Sequence, residues 1–108
     1  MRLLHESVTA EPGWRRRFNL ALALMAANRD EEAVGELMQS ESELSAAGAR
    51  MAGKQAERYR SRIRSRIAEA QLRLGDADGA RREALYALDL DQGNQHARRV
   101  LRILDGIR

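Results

Sequence analysis

Apolar residues recur at three- and four-residue steps along most of the chain, which is the spacing of one buried face on an α-helix. The longest such pattern lies between residues 50 and 74 and is built from alanine, isoleucine, leucine and tyrosine. Residues that favour turns, mainly Gly, Asn and Asp, interrupt these patterns. The interruptions predict a leading helical fragment and five helices, over residues 2–10, 14–27, 30–46, 50–74, 79–90 and 95–106.

The turns between the predicted helices carry residues suited to ending one helix and starting the next. Pro12 and the glycine after it end the leading fragment. Asn28 can end the next helix and Asp30 can cap the one that follows. Gly75 ends the long helix, and we expect Asp78 to cap the helix after it. These corners are short, so consecutive helices should lie antiparallel.

Two segments of the chain follow the same plan at an offset of 47 residues. Each has an arginine, then a large apolar residue followed by alanine, then a turn, and then an early alanine in the second helix. The residues are Arg17, Leu20, Ala21 and Ala33 in the first segment, and Arg64, Ile67, Ala68 and Ala80 in the second. Small side chains facing each other would let the two helices of each pair approach closely.

This plan resembles the tetratricopeptide repeat, which also places small residues where its two helices meet. The resemblance implies an all-α fold of antiparallel helix hairpins, a fragment of an α-solenoid with a capping helix. The whole chain would be one such domain, with a leading half-repeat (1–11), two repeats (14–46 and 50–92) and a C-terminal capping helix (94–108). The offset of 47 exceeds the family period of about 34. We expect the extra residues, between positions 40 and 60, to lengthen two helices and their connection.

In the resembled family, the first helices of successive repeats line a concave groove. Arg62 and Arg66 lie one helical turn apart, so a bound carboxylate could accept charge-assisted hydrogen bonds from both. Family members that hold a C-terminal carboxylate use an asparagine and such a basic pair, and Asn19 matches the asparagine. The resemblance thus implies a protein-binding module whose partner is an acidic peptide, a C-terminal carboxylate or another protein. The implied partner-binding residues are Arg15, Phe18, Asn19, Leu22, Arg62, Arg66, Glu69, Arg73 and Arg99.

Charge is divided unevenly between the two middle helices. Residues 28–49 carry six acidic side chains and one arginine, whereas residues 50–74 carry eight basic and two acidic side chains. Because these stretches form consecutive antiparallel helices, we expect them to pair along a solvated seam. Each exposed ion pair there should contribute roughly 0 to 1 kcal/mol. Arginines that point away from the seam would be left for a partner.

The residues that usually carry chemistry are sparse or badly spaced in this chain of 108 residues. It has no cysteine, and His5 and His96 lie in different terminal segments without metal-ligand spacing. Its serines lack a positioned histidine and aspartate that would activate a nucleophile. We therefore expect no enzyme activity, no bound metal and no cofactor.

Nucleic acid and a second copy of the chain are alternatives to a peptide or protein partner. The sequence pI of about 10.1 and the arginine-rich stretches at 14–17 and 58–66 would suit nucleic acid. However, the net charge is only +3 and aromatic content only 4%, which favours a protein partner. Incomplete repeats at the two ends would leave apolar surface that a second copy could cover, so a homo-oligomer stays an alternative.

With no apolar run of about 20 residues and no signal segment, we expect a cytoplasmic location and no membrane contact.

Overall fold

The computed structural model describes residues 13–47 and 53–106 of the chain. Within these two ranges the structure is five α-helices with no strand, so the predicted all-α fold is confirmed. The leading fragment predicted over residues 2–10 lies outside the described residues. The helices are α1 (Gly13–Ala26), α2 (Asp30–Ala47), α3 (Gly53–Arg73), α4 (Ala77–Leu90) and α5 (Gln95–Gly106).

Consecutive helices pair as antiparallel hairpins. The Oγ of Ser40, late in α2, donates a hydrogen bond to the carbonyl oxygen of Trp14 at the start of α1, at 2.6 Å. In the second pair the Oγ of Ser61, in the first half of α3, donates to the carbonyl of Ala87 near the end of α4, at 2.7 Å. Helices α3 and α4 therefore form a second hairpin after that of α1 and α2.

The first helices of the two hairpins run side by side in the same direction. Near their beginnings, the rings of Trp14 in α1 and Tyr59 in α3 are 4.6 Å apart. At their ends, Arg73 of α3 donates through Nη2 to the carbonyl of Met25 in α1, at 2.9 Å. Helix α5 continues this row beyond α3, because Asn94 just before α5 bonds to Ser61. Helices α1, α3 and α5 thus form one row, with α2 and α4 as the returning elements.

Two apolar clusters hold the row together, and small residues dominate the second. The four alanines expected at the hairpin contacts, Ala21, Ala33, Ala68 and Ala80, are fully buried. The first cluster fills the space among α1, α2 and α3, and its members are Trp14, Ala21, Met25, Ala33, Leu37, Leu44, Ile63, Ile67 and Ala70. The second joins α3, α4 and α5 through Ala68, Ala80, Ala84, Ala87, Ala97, Val100 and Leu104.

The two hairpins end their first helices in the same way. Asn28 has a φ of 62° and Gly75 a φ of 90°, and these residues are 47 positions apart. In both hairpins the N–H of the following residue donates at 2.8 Å to the carbonyl five residues earlier. This is the Schellman arrangement, which requires a left-handed residue, so Asn28 and Gly75 act as predicted.

Helix lengths and one cap refine the sequence predictions. Helices α2 and α3 have 18 and 21 residues, against 14 each for α1 and α4. Residues 40–47 and 53–60 therefore lie in these two longer helices, as expected, and the connection between them lies outside the described residues. The predicted cap at Asp78 is wrong, because α4 begins at Ala77 and its N-cap is Asp76, whose Oδ1 accepts from the N–H of Gly79 at 2.9 Å.

Candidate functional site

Three neighbouring cavities form a groove along the row α1, α3 and α5. The first and second, of about 260 and 450 Å³, share Phe18 and Arg62. The second and third share His96, and the third measures about 130 Å³. All nine residues predicted for partner binding border this groove: Arg15, Phe18, Asn19, Leu22, Arg62, Arg66, Glu69, Arg73 and Arg99. Their common location follows from helical periodicity, which places them off the buried stripes of α1, α3 and α5.

The first cavity has an aromatic lining with a cationic rim. Trp14 and Tyr59 meet at an interplanar angle of 49°, and Phe18 and Ile63 complete the apolar lining. The guanidinium of Arg15 lies 5.6 Å from the centre of the Trp14 ring and 5.9 Å from that of Tyr59, within the range of cation–π attraction. The repeat resemblance implied Arg15 and Phe18 for this groove, whereas Tyr59 belongs by periodicity to the apolar stripe of residues 50–74 and was not expected here.

Arg62 and Arg66 differ in how far their charges are already paired. Arg62 is exposed on α3 between the first two cavities. Among the described residues, no group forms an ion pair or hydrogen bond with its side chain. Arg66 is half-buried, and its Nη1 lies 3.3 Å from an oxygen of Glu69 one turn later. An anion in the groove could therefore pair with Arg62 directly, whereas at Arg66 it would compete with Glu69.

Arg73 borders the third cavity, but its guanidinium mainly joins α3 to the first hairpin. Its Nη2 donates to the carbonyl of Met25 at 2.9 Å and to Oδ1 of Asn28 at 2.7 Å. Its Nε lies 3.4 Å from a carboxylate oxygen of Asp30 at the start of α2. A positive charge beside the last carbonyls of α1 also complements the helix dipole. Arg73 is thus held by intrachain contacts, which its position on α3 did not indicate.

His96 lies in the first turn of α5, where its surroundings favour the neutral imidazole. Partial burial lowers the pKa of the imidazole below its usual 6.5, and the positive charges of Arg66 and Arg99 lower it further. Glu69 raises the pKa, but less strongly than burial or Arg66 lowers it. The cationic character of the groove at pH 7 therefore comes from its arginines.

Asn94 fastens α5 to the rest of the row and so forms one wall of the second cavity. Its Oδ1 accepts from the N–H of Ala97 at 3.0 Å, which caps α5. Its Nδ2 donates to the carbonyl oxygen and the Oγ of Ser61, at 3.1 and 2.9 Å. Nothing local to Asn94 in the sequence indicates its contact with Ser61.

The predicted seam between acidic α2 and basic α3 is present. Glu41 of α2 lies 2.8 Å from Arg64 and 3.6 Å from Arg60. The side chain of Ser45 in α2 also accepts from Arg60 at 3.0 Å. These arginines lie away from the groove, so the basic residues of α3 are divided between a paired set at the seam and a set facing the groove.

Each hairpin also contains an ion pair that the sequence plan did not anticipate. Arg17 and Glu36 are 3.0 Å apart in the first hairpin, and Arg64 and Glu83 are 2.8 Å apart in the second. The two pairs are related by the same offset of 47 residues. Arg17 also bonds to Glu43. The equivalent arginines of the two segments therefore join the two helices of each hairpin.

In the part of the chain that the structure describes, no cluster of three or more histidine or acidic side chains is placed to hold a metal ion. No helix there combines the length and apolar character needed to span a bilayer. No protein-family model and no curated protein matches this chain. Its function is therefore inferred from the groove itself.

Proposed function

We propose that this chain is a tetratricopeptide-like hairpin-repeat domain that binds a peptide or a partner protein in its groove and catalyses no reaction itself. The observation that carries the proposal is that some arginines of α3 are paired with an acidic residue while another is exposed beside the groove. Arg60 and Arg64 are paired with Glu41 at the seam, whereas Arg62, between them in sequence, is unpaired among the described residues and borders two cavities. A charge kept exposed beside apolar cavities is suited to a charged partner.

The repeat arrangement supports the family part of the proposal. The two hairpins share their offset, their left-handed helix ends and their intra-hairpin ion pairs. Their first helices run in one direction beside α5, which leaves one face of each in the groove. Such a row of parallel helices presents an extended surface that suits a linear segment of another protein.

Selection of displayed random peptides on the immobilised chain tests this proposal. We expect enrichment of a set of peptides, lost when Arg62→Ala and Arg66→Ala are combined and kept in Arg82→Ala. Arg82 is an exposed arginine on α4 that borders none of the three cavities. Neither Arg62 nor Arg66 is a member of either apolar cluster, so circular dichroism should show unchanged helicity. Enrichment that survives the double substitution, or no enrichment by the wild type, would reject the groove as a binding site.

Self-association is a second candidate, favoured by large apolar side chains at the surface. Leu20 and Met38 on the first hairpin are 47% and 60% exposed, and Leu85 on α4 and Ile103 on α5 are 54% and 44% exposed. Matching such faces between copies would cover this apolar surface. Light scattering at several concentrations tests this: association gives a mass that rises with concentration, and a constant monomer mass excludes it.

A further inference from the structure

We propose that the groove recognises an internal acidic segment of a partner chain by the spacing of one apolar and two acidic side chains. The apolar side chain fills the first cavity, a carboxylate two residues away lies beside Arg62, and a carboxylate four residues away lies beside Arg66. This inference rests on the proposed function and specifies the chemistry of the partner.

The first cavity has the size and lining for a single side chain. Its volume of about 260 Å³ lies below the roughly 300 to 1,000 Å³ typical of small-molecule and cofactor sites. Trp14, Phe18, Tyr59 and Ile63 provide apolar surface on several sides. A leucine or aromatic side chain of a peptide could bury its surface there, in the way that anchor residues fill pockets at protein interfaces.

The charges around the first two cavities select an acidic segment. Arg15, Arg62 and Arg66 border these cavities, while Asp91 is the acidic residue that borders them. The carboxylate of Asp91 already accepts a hydrogen bond from the N–H of Gly93 at 3.0 Å. The balance is therefore positive, and it complements a partner segment with side-chain carboxylates.

Helix geometry links the apolar cavity to the arginines at a defined distance. The rise of about 1.5 Å per residue in an α-helix places Arg62 and Arg66 about 6 Å apart along α3. In an extended peptide, side chains two residues apart point the same way and are separated by about 6.6 Å. Since Arg62 borders both cavities, an anchor in the first cavity brings the carboxylate two positions away to Arg62 and the one four positions away to Arg66.

Trp14 supplies the measurement, because it is the chain's only tryptophan and it lines the first cavity. The probe is an eight-residue peptide, acetylated and amidated, with one leucine, glutamates two and four positions after it, and serine or glycine elsewhere. Blocked ends exclude recognition of a terminal carboxylate. We expect a saturable change in Trp14 emission. Replacing the leucine by alanine should abolish it, and replacing both glutamates by glutamine should weaken binding at least tenfold.

Two comparisons test the spacing and the arginine. A peptide in which the first glutamate directly follows the leucine should bind about tenfold more weakly, because adjacent side chains of an extended peptide point to opposite sides. Arg62→Gln should weaken binding of the original peptide about tenfold, while Arg82→Gln on α4 should not change it. Circular dichroism of both variants should match the wild type.

The proposal is overturned if the glutamine peptide or the shifted peptide binds as well as the original, or if Arg62→Gln leaves the affinity unchanged. It is also overturned if a twelve-nucleotide single-stranded RNA changes Trp14 emission at low salt and the peptide does not, since the arginines would then recognise phosphates. Display selection distinguishes failure of this peptide motif from failure of the groove as a binding site. Enriched peptides without this spacing reject the motif alone, whereas a selection without enrichment rejects the groove.

Discussion

Replacing Asn94 by alanine should loosen α5 and lower the stability of the chain by about 2 kcal/mol. The substitution removes the side-chain acceptor that caps α5, and losing such an N-cap costs typically about 1 kcal/mol. It also removes the two hydrogen bonds from Nδ2 to Ser61. A buried hydrogen bond contributes about 1 kcal/mol net, and these two share one donor group, so we count them once. The cap and the hydrogen bonds to Ser61 therefore contribute about equally, and a second substitution can separate them.

Asn94→Ser separates them, because a serine hydroxyl can still cap a helix but is too short to reach Ser61. Urea unfolding followed by circular dichroism should place Asn94→Ser midway, about 1 kcal/mol below wild type, and Asn94→Ala about 2 kcal/mol below. Asn19→Ala, at an exposed asparagine of α1, is the matched control and should stay within about 0.5 kcal/mol of wild type. If Asn94→Ala is as stable as wild type, Asn94 does not fasten α5. If the serine variant is as unstable as the alanine variant, the cap contributes nothing.

Three further substitutions test contacts that position the groove. Arg73→Gln should destabilise the chain by about 1 to 3 kcal/mol in urea unfolding, since two acceptors and a carboxylate lose a charged partner. Arg99→Gln, at an exposed arginine beside the same cavity, is the control and should be nearly neutral. Ala80→Leu should cost about 1 to 3 kcal/mol by overpacking a fully buried contact, and a neutral effect would contradict close packing of α3 and α4. The pKa of His96 is lower in the folded than in the unfolded chain, so the unfolded state binds more protons below pH 6.5 and stability falls on acidification. The urea midpoint should therefore drop less between pH 7.5 and 5.5 in His96→Gln than in wild type.

Features that depend on near neighbours in sequence were predictable. The left-handed helix ends at Asn28 and Gly75 follow from turn chemistry, and the buried alanines follow from helical periodicity. The seam was predictable because an acidic helix is followed directly by a basic one, and consecutive helices of a small all-α domain pair with each other. The groove residues were predicted from the arrangement that the repeat resemblance implies, and periodicity showed only that some of them lie off the core stripe.

Features that depend on where a long side chain reaches were not predictable. Arg73 is 48 residues from Met25, and its position on α3 is equally compatible with a guanidinium in solvent. The choice of Asp76 over Asp78 as cap had a similar origin, because both are good capping residues and only the backbone path of the turn decides between them. Such outcomes are set by competing local contacts of about 1 kcal/mol each, which residue type alone does not rank.

The hydrogen bonds that close the two hairpins show what the offset of 47 residues preserves. Ser40 donates to the carbonyl of Trp14, and Ser61 donates to the carbonyl of Ala87. Trp14 is equivalent to Ser61 under the offset, and Ser40 is equivalent to Ala87, so the donor has moved from the second helix to the first. At the same pair of positions in each hairpin, a serine hydroxyl on one helix therefore reaches a backbone carbonyl on the other. The two hairpins share this hydrogen-bonded approach of their helices, and a different helix supplies the serine in each.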